Sequence, residues 1–277
     1  MTGAGGRLGG QVMRILASEP AHEVVALSRR ALPVQPDLTH VGVRISEYED
    51  PAALAAALKH VETLVFVSSD GPTAQVIVHH QNVIRAAAAT GVGHIVALSG
   101  LDADPESPFC YGVSYCNTER LLLESGCSVS IARASIFTEF FLAFVIPARA
   151  TGEIRLPAAD ARISLVSRSD VARCLAALAV AAPTNRHHDL TGPESPDLAA
   201  TAALAAQEWG TPDNYVELTP TDFRVELARS GEEPWWEYAY STMFDSILQG
   251  RWTAVSKEVV RLTGRAPTPV REVLRSI

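Results

Sequence analysis

The chain has 277 residues, 47% of them apolar and 19% charged, with a formal net charge of −8. That is material for one large domain, or a main domain with a smaller lobe. The acidic balance argues against a general nucleic-acid binder, which needs a basic face to release counterions, and no apolar stretch reaches the ~20 residues of a membrane span.

The first two-thirds of the chain alternate β-branched runs with Ala-rich helical segments. The earliest landmark is Thr2-Gly3-Ala4-Gly5-Gly6-Arg7-Leu8-Gly9. Gly3, Gly6 and Gly9 form G-x-x-G-x-x-G directly ahead of a helical pattern, in which Leu8, Val12, Ile15 and Leu16 fall on one face. Such a loop lets the backbone approach a pyrophosphate, whose charge the helix N-terminus stabilises. Strands are expected at Glu23–Ser28, Val41–Ser46, Thr63–Ser68, His94–Leu98 and Ser128–Arg133. Helices are expected from Pro51, a favoured first-turn residue, with Leu54 and Leu58 inward, and over Ala74–Thr90, ended by Gly91. This rhythm predicts an α/β fold of Rossmann type, a doubly wound parallel sheet with helices on both faces.

The first run of strand character ends in Ser28-Arg29-Arg30. A carboxylate at this place holds the ribose 2′-hydroxyl in NAD-selective sites. Two guanidiniums stand here instead, and their planar donors suit a 2′-phosphate. The implied cofactor is NADP(H).

After residue 134 the rhythm loosens. Short strands are expected near Ile154–Leu156 and Ile163–Val166, and a helix from Ser169/Asp170, with Asp170 as its cap. Phe140–Ile146, stopped by Pro147, reads as core. Trp209, Trp235, Trp236 and Trp252 mark a smaller C-terminal substrate lobe, read either as a lid or as that lobe's own packing. The expected division is 1–133 for the nucleotide-binding core and 134–277 for the remaining sheet elements and the lobe. Adjacent His79 and His80 lie mid-helix and cannot share one helix face, so at least one is expected to be exposed or simply packed. The cysteines Cys110, Cys116, Cys127 and Cys174 have neither C-x-x-C spacing nor matching His pairs, so no metal site is expected. No signal peptide is evident, which makes the cytoplasm the expected compartment. A homodimer is compatible with the sequence but not readable from it.

Together with the glycine loop, Ala97-Leu98-Ser99 and Asn117-Thr118-Glu119 resemble the atypical short-chain dehydrogenase/reductases. The similarity is to NmrA-like proteins and type-2 NAD(P)H:quinone oxidoreductases. Ser107-Pro108-Phe109, His188-Asp189-Leu190-Thr191-Gly192-Pro193-Glu194 and Leu262-Thr263-Gly264-Arg265-Ala266-Pro267 resemble further segments of that group. The resemblance implies cofactor contacts from Gly3, Gly5, Gly6, Arg7, Leu8, Gly9, Arg29 and Arg30. It adds Glu47, where an Asp is usual, and Ser68 and Ser69. It places Phe137, Thr138 and Glu139 in the substrate-pocket wall and Ser99 and Tyr111 at the reacting end.

The wider superfamily uses a Ser, a Tyr and a Lys four residues after the Tyr. Tyr115 occupies that Lys position here. Without the cation, Tyr111 titrates nearer its unperturbed value of about 10 and is a poor base at neutral pH. Two readings stay open. One is an NADP(H)-dependent oxidoreductase acting on a small quinone, enone or carbonyl. The other is a non-catalytic NADP(H)-binding redox sensor that acts through a protein partner.

In this fold a strand precedes the glycine loop and lies mid-sheet, yet only Met1 stands before Thr2. Omitting a middle strand leaves neighbours roughly 9.6 Å apart and forgoes four or five buried side chains at about 1.5–3 kcal/mol each. The first strand is therefore expected to be missing from this sequence, with the natural start some five to eight residues upstream.

Overall fold

The structure, a computed structural model, describes residues 1–19, 21–32, 41–211 and 214–277. From the glycine loop the chain enters α1 (Arg7–Ala17), then β1 (Val25–Ser28), β2 (Gly42–Ile45), α2 (Pro51–Leu58), β3 (Thr63–Phe66) and α3 (Thr73–Ala89). Next come β4 (His94–Gly100), α4 (Cys110–Glu124), β5 (Ser128–Ala134), α5 (Thr138–Val145) and α6 (Ala148–Thr151). They are followed by β6 (Glu153–Leu156), α7 (Arg168–Val180), β7 (His187–Leu190), α8 (Leu198–Trp209) and β8 (Asn214–Glu217). The chain ends with α9 (Pro220–Ser230), α10 (Pro234–Leu248), α11 (Glu258–Thr263) and α12 (Val270–Arg275).

Two compact units interleave along the chain. One comprises Met1–Ser99, Ser114–Arg133 and Val171–His188; the other comprises Gly100–Val113, Ala134–Asp170 and Asp189–Ile277. The chain passes from one to the other at 99/100, 113/114, 133/134, 170/171 and 188/189.

In the first unit β1 pairs in parallel with β2, and β3 in parallel with β4. The larger sheet has the order β3-β4-β5-β7. Leu54, Leu58, Leu64, Phe66, Ile95 and Ile131 close one apolar core, with the predicted Leu54/Leu58 face inward. Asp50 caps α2 by accepting the N–H groups of Ala52 and Ala53. On α1 the inward residues include Leu8, Val12, Met13 and Ala17, while Ile15 and Leu16 are only half-buried.

No strand precedes α1. Between β1 and β3 run only Met1 and Thr2: the Leu27 N–H donates to the Met1 carbonyl at 2.8 Å, and the Thr2 N–H donates to the Val65 carbonyl at 2.9 Å. Two residues are too few for a ladder, so β1 and β2 form a sheet separate from β3-β4-β5-β7.

In the second unit β6 pairs in parallel with β8. An aromatic nest of Phe144, Phe223, Tyr240 and Phe244 packs edge-on around α10, with Phe141 tilted against Phe244. Trp252 is buried, and Arg149 lies 4.3 Å from the centre of the Trp209 ring. Two expectations fail here. Residues 163–166 form no strand, because successive N–H groups go to different segments: Ile163 to Pro196, Ser164 to Trp252 and Val166 to Ile136. The apolar run reflected burial, not pairing. Nor does Asp170 cap α7. The helix starts at Arg168, Ser167 Oγ accepts the Asp170 N–H at 3.1 Å, and the Asp170 carboxylate instead accepts the Thr268 N–H at 2.7 Å. Asp170 thereby ties the end of the L-T-G-x-x-P segment to α7.

Candidate functional site

The glycine loop is shaped by contacts that exclude side chains. Gly3 sits at φ +64°, and a Cβ on Gly9 would lie 2.1 Å from the Gly3 carbonyl oxygen. Gly9 is therefore required where α1 crosses the loop, and the Gly6 N–H closes the turn on the Gly3 carbonyl at 2.9 Å. Leu8 is buried and anchors the helix, while Gly5, Gly6 and Arg7 are exposed. No side chain caps α1 and its first turn carries no acid. Its leading N–H groups, which have no partner inside a helix, are thus presented to an anion.

Arg29 and Arg30 follow β1 and are exposed. The Ser28 hydroxyl accepts the Arg30 N–H at 3.5 Å. Glu47 is exposed after β2, next to Tyr48, whose hydroxyl donates to the Val67 carbonyl at 3.3 Å. Burial raises the Tyr48 phenol to about 12, so it stays protonated. Thr2 and Val67 are cross-linked through the Val67 N–H and the Thr2 hydroxyl at 2.9 Å. That link sets the glycine loop beside Ser68 and Ser69.

Ser68 donates to the Leu98 carbonyl at 2.6 Å. Ser69 is held twice, by residues whose role the sequence left open. His80 Nε2 accepts the Ser69 N–H at 3.1 Å, and His79 Nδ1 lies 3.3 Å from Ser69 Oγ. Both imidazoles are buried, so of the two alternatives the sequence left open, exposure or packing, both rings take packing. Burial, helped by the neighbouring His79, pulls His80 down to about 3 and keeps it neutral.

Ser99 is the penultimate residue of β4, and its hydroxyl donates to Glu119 Oε1 at 2.6 Å. Glu119 is buried and also takes Arg133 Nε at 2.9 Å, Arg133 Nη2 at 2.5 Å and His187 Nε2 at 3.1 Å. The Ser99 proton is thus committed inside the protein, and only its lone pairs remain for a substrate.

In the second unit Tyr111 is buried in the first turn of α4, edge-on to Phe109 and to Trp235 at ring separations of 5.4 and 6.2 Å. Tyr115 lies one turn on and is half-buried. The Ser107-Pro108-Phe109 motif serves a buried hub that the sequence reading missed. Asp102 Oδ2 accepts the Ser107 and Ser246 hydroxyls, both at 2.5 Å, and Asp102 Oδ1 faces Arg251 at 3.3 Å. The Trp252 indole N–H donates to Ser246 Oγ at 2.8 Å. Around α5 the Glu139 carboxylate accepts the Arg168 N–H at 3.0 and 3.1 Å. Thr138 is fully buried, and Arg168 lies over the Phe137 ring at 5.5 Å. Glu139 therefore caps α7. Among the described residues, no cluster of His, Cys, Asp and Glu could hold a metal ion, and no helix is long and apolar enough to cross a membrane.

An open helix N-terminus behind a glycine loop at the edge of a parallel sheet defines a nucleotide-binding α/β protein of Rossmann type. Residues 3–181 match the sequence profile described as NAD(P)H-binding, and the chain belongs to that NAD(P)H-binding family. Quinone oxidoreductase 2 of Escherichia coli is 32% identical over 234 residues, covering 83% of this chain and 81% of that protein. An NmrA-like family domain-containing oxidoreductase of Aspergillus flavus is 26% identical, covering 100% of this chain and 94% of that protein. The crystal structure of the Escherichia coli NADPH-dependent quinone oxidoreductase complexed with NADPH superposes with a TM-score of 0.92 at 29% identity, covering 99% of this chain and 98% of that one. These matches agree with the NmrA-like resemblance read from the motifs. The residues present fit a nicotinamide dinucleotide: the Gly9 cradle admits no Cβ, and α1 is open to a phosphate.

Proposed function

We propose that the protein is an NADP(H)-dependent oxidoreductase that reduces a small quinone, with related enones and carbonyls as poorer substrates. The glycine loop and the α1 N-terminus would hold the pyrophosphate, and Arg29 with Arg30 the 2′-phosphate. Glu47, Ser68 and Ser69 would complete the nucleotide site, and Ser99, Tyr111 and Tyr115 would line the reacting end. Phe137, Thr138 and Glu139 are proposed for the pocket wall, with Glu139 acting by fixing that segment. When bound, NADPH supplies the hydride.

The observation that carries the choice of acceptor is the Ser99–Glu119 hydrogen bond. A serine that donates to a buried carboxylate cannot also donate to a substrate carbonyl. With Tyr115 at the Lys position, the chain lacks the cation of the superfamily's proton relay. A quinone needs none, because solvent protonates the electron-rich oxygen of its reduced form. The quinone activity named for the Escherichia coli relative supports the same acceptor class.

The missing Lys also supports the second reading, a redox sensor that binds the nucleotide without turning over. NADPH consumption across a panel of quinones, enones and ketones separates the two. Turnover that is fastest with quinones supports the reductase. Tight NADPH binding with no turnover on any acceptor supports the sensor.

A further inference from the structure

Tyr111 is the second residue of α4, and the contacts that hold its turn come from one face of α10. Trp235, Thr242 and Ser246 are spaced seven and four residues apart, so they project from the same side of that helix. Each meets the segment from Asp102 to Tyr111. The Trp235 ring lies edge-on to Tyr111 at 6.2 Å. Thr242 Oγ1 accepts the Cys110 N–H at 3.3 Å and gives its own proton to the Ala239 carbonyl at 3.1 Å. The Ser246 hydroxyl donates to Asp102 Oδ2 at 2.5 Å.

Asp102 passes this hold on to Tyr111 by two routes. The first runs through the main chain. While Ser107 donates to Asp102 Oδ2, its oxygen accepts the Phe109 N–H at 3.0 Å, and the Gly112 N–H closes on the Phe109 carbonyl at 2.8 Å. A Cβ on Gly112 would lie 2.6 Å from Ser107 Cβ and 3.0 Å from the Asp102 carbonyl oxygen. The first turn of α4 thus rests directly on the Asp102–Ser107 segment. The second route runs through rings. Ser246 Oγ accepts the Trp252 indole N–H at 2.8 Å, Trp252 lies edge-on to Phe109 at 6.0 Å, and Phe109 lies edge-on to Tyr111 at 5.4 Å. In a close-packed interior such a chain of contacts leaves the last ring little freedom.

Thr242 is the α10 contact that acts on the main chain of this turn alone. Leading N–H groups of a helix have no partner inside it, and Thr242 supplies one for Cys110. We propose that Thr242 and Asp102 are positioning residues that fix Tyr111 at the reacting end, so that α10 sets where the substrate meets this ring. The proposal rests on the reading of Tyr111 as part of the reacting end and adds to it the residues that hold Tyr111 there.

The experiment separates placement from folding. Thr242 is half-buried. Thr242→Val keeps its shape and removes the acceptor oxygen, whereas Thr242→Ser keeps the oxygen. With tetramethyl-1,4-benzoquinone as acceptor, Thr242→Val raises KM by about three- to tenfold, the range for one neutral hydrogen bond. The NADPH dissociation constant from titration calorimetry stays unchanged, and Thr242→Ser behaves as the native protein. In a Tyr111→Ala background Thr242→Val has no further effect, because it acts only through Tyr111. Asp102→Asn likewise raises this KM in the native background and not in Tyr111→Ala. Unchanged KM in Thr242→Val overturns the proposal. So does an equal rise in the Tyr111→Ala background for either residue, or a parallel loss of NADPH affinity in Thr242→Val. If Tyr111→Ala does not fold, the Val and Ser pair at position 242 decides alone. Native protein that binds NADPH but turns over no quinone would remove the reductase reading itself and this proposal with it.

Discussion

Ser99 gives its proton to Glu119, a carboxylate one helix away that Arg133 and His187 hold in place. The bond turns the residue that would polarise a substrate carbonyl into an acceptor. Ser99→Ala should therefore cost less than about tenfold in kcat with a quinone, well short of the 10²–10⁴ typical of general acid–base groups. Tyr111→Phe should likewise cost about tenfold, since no Lys stands at Tyr115 to activate it. A loss above about a thousandfold in either variant, with NADPH binding intact, would show that a proton relay operates after all.

Acid should weaken the fold through His80. An unfolded histidine titrates near 6.5, whereas the buried ring titrates at about 3. Between those values the unfolded chain binds a proton that the folded chain does not. The contribution of His80 is complete above about pH 6.5 and is lost as the pH falls toward 3, by on the order of 5 kcal/mol in total. Glu49, whose carboxyl is lowered by its hydrogen bond with His79, acts in the same direction. Thermal melts at pH 7 and pH 4.5 should differ markedly for the native chain and much less for His80→Gln. Equal differences in the two proteins would exclude His80 as the source.

The Asp102 hub should dominate the stability of its unit. Asp102→Ala leaves two buried hydroxyls and Arg251 facing a cavity, a change of about 3–5 kcal/mol for a buried charged pair broken on one side. Asp102→Asn keeps an acceptor oxygen and should cost about 1–3 kcal/mol. Thermal midpoints should fall in that order. A midpoint for Asp102→Ala within a degree of the native value would contradict the role assigned to the hub.

What the sequence revealed and what it hid divide along contact range. The glycine loop, the Pro51 helix start and the Arg29-Arg30 pair are local signals, each contained in a few consecutive residues; they lie ahead of α1, at the start of α2 and after β1. The Glu119 and Asp102 clusters are long-range. Glu119 appears in the sequence only as part of a short motif, yet its partners come from the ends of three strands. Asp102 gains its meaning from Ser246 and Arg251, more than 140 positions away. The pair His79–His80 stayed ambiguous in the sequence for a physical reason. Adjacent helical side chains do diverge, but one reaches the Ser69 side chain and the other its backbone. Residues 163–166 misled because an apolar run records burial, whichever partners its N–H groups find.

The claim on which the others depend is that the site is built for a 2′-phosphorylated dinucleotide, and the dissociation constants of NADPH and NADH test it most directly. Arg29 and Arg30 are exposed at the end of β1, where an NAD-selective site keeps a carboxylate. NADPH should bind at least about tenfold more tightly than NADH, a difference of about 1.4 kcal/mol or more. Arg29→Ala should erase most of that preference and reduce the salt sensitivity of NADPH binding, with NADH affinity little changed. Equal dissociation constants for the two cofactors in the native protein would contradict the account.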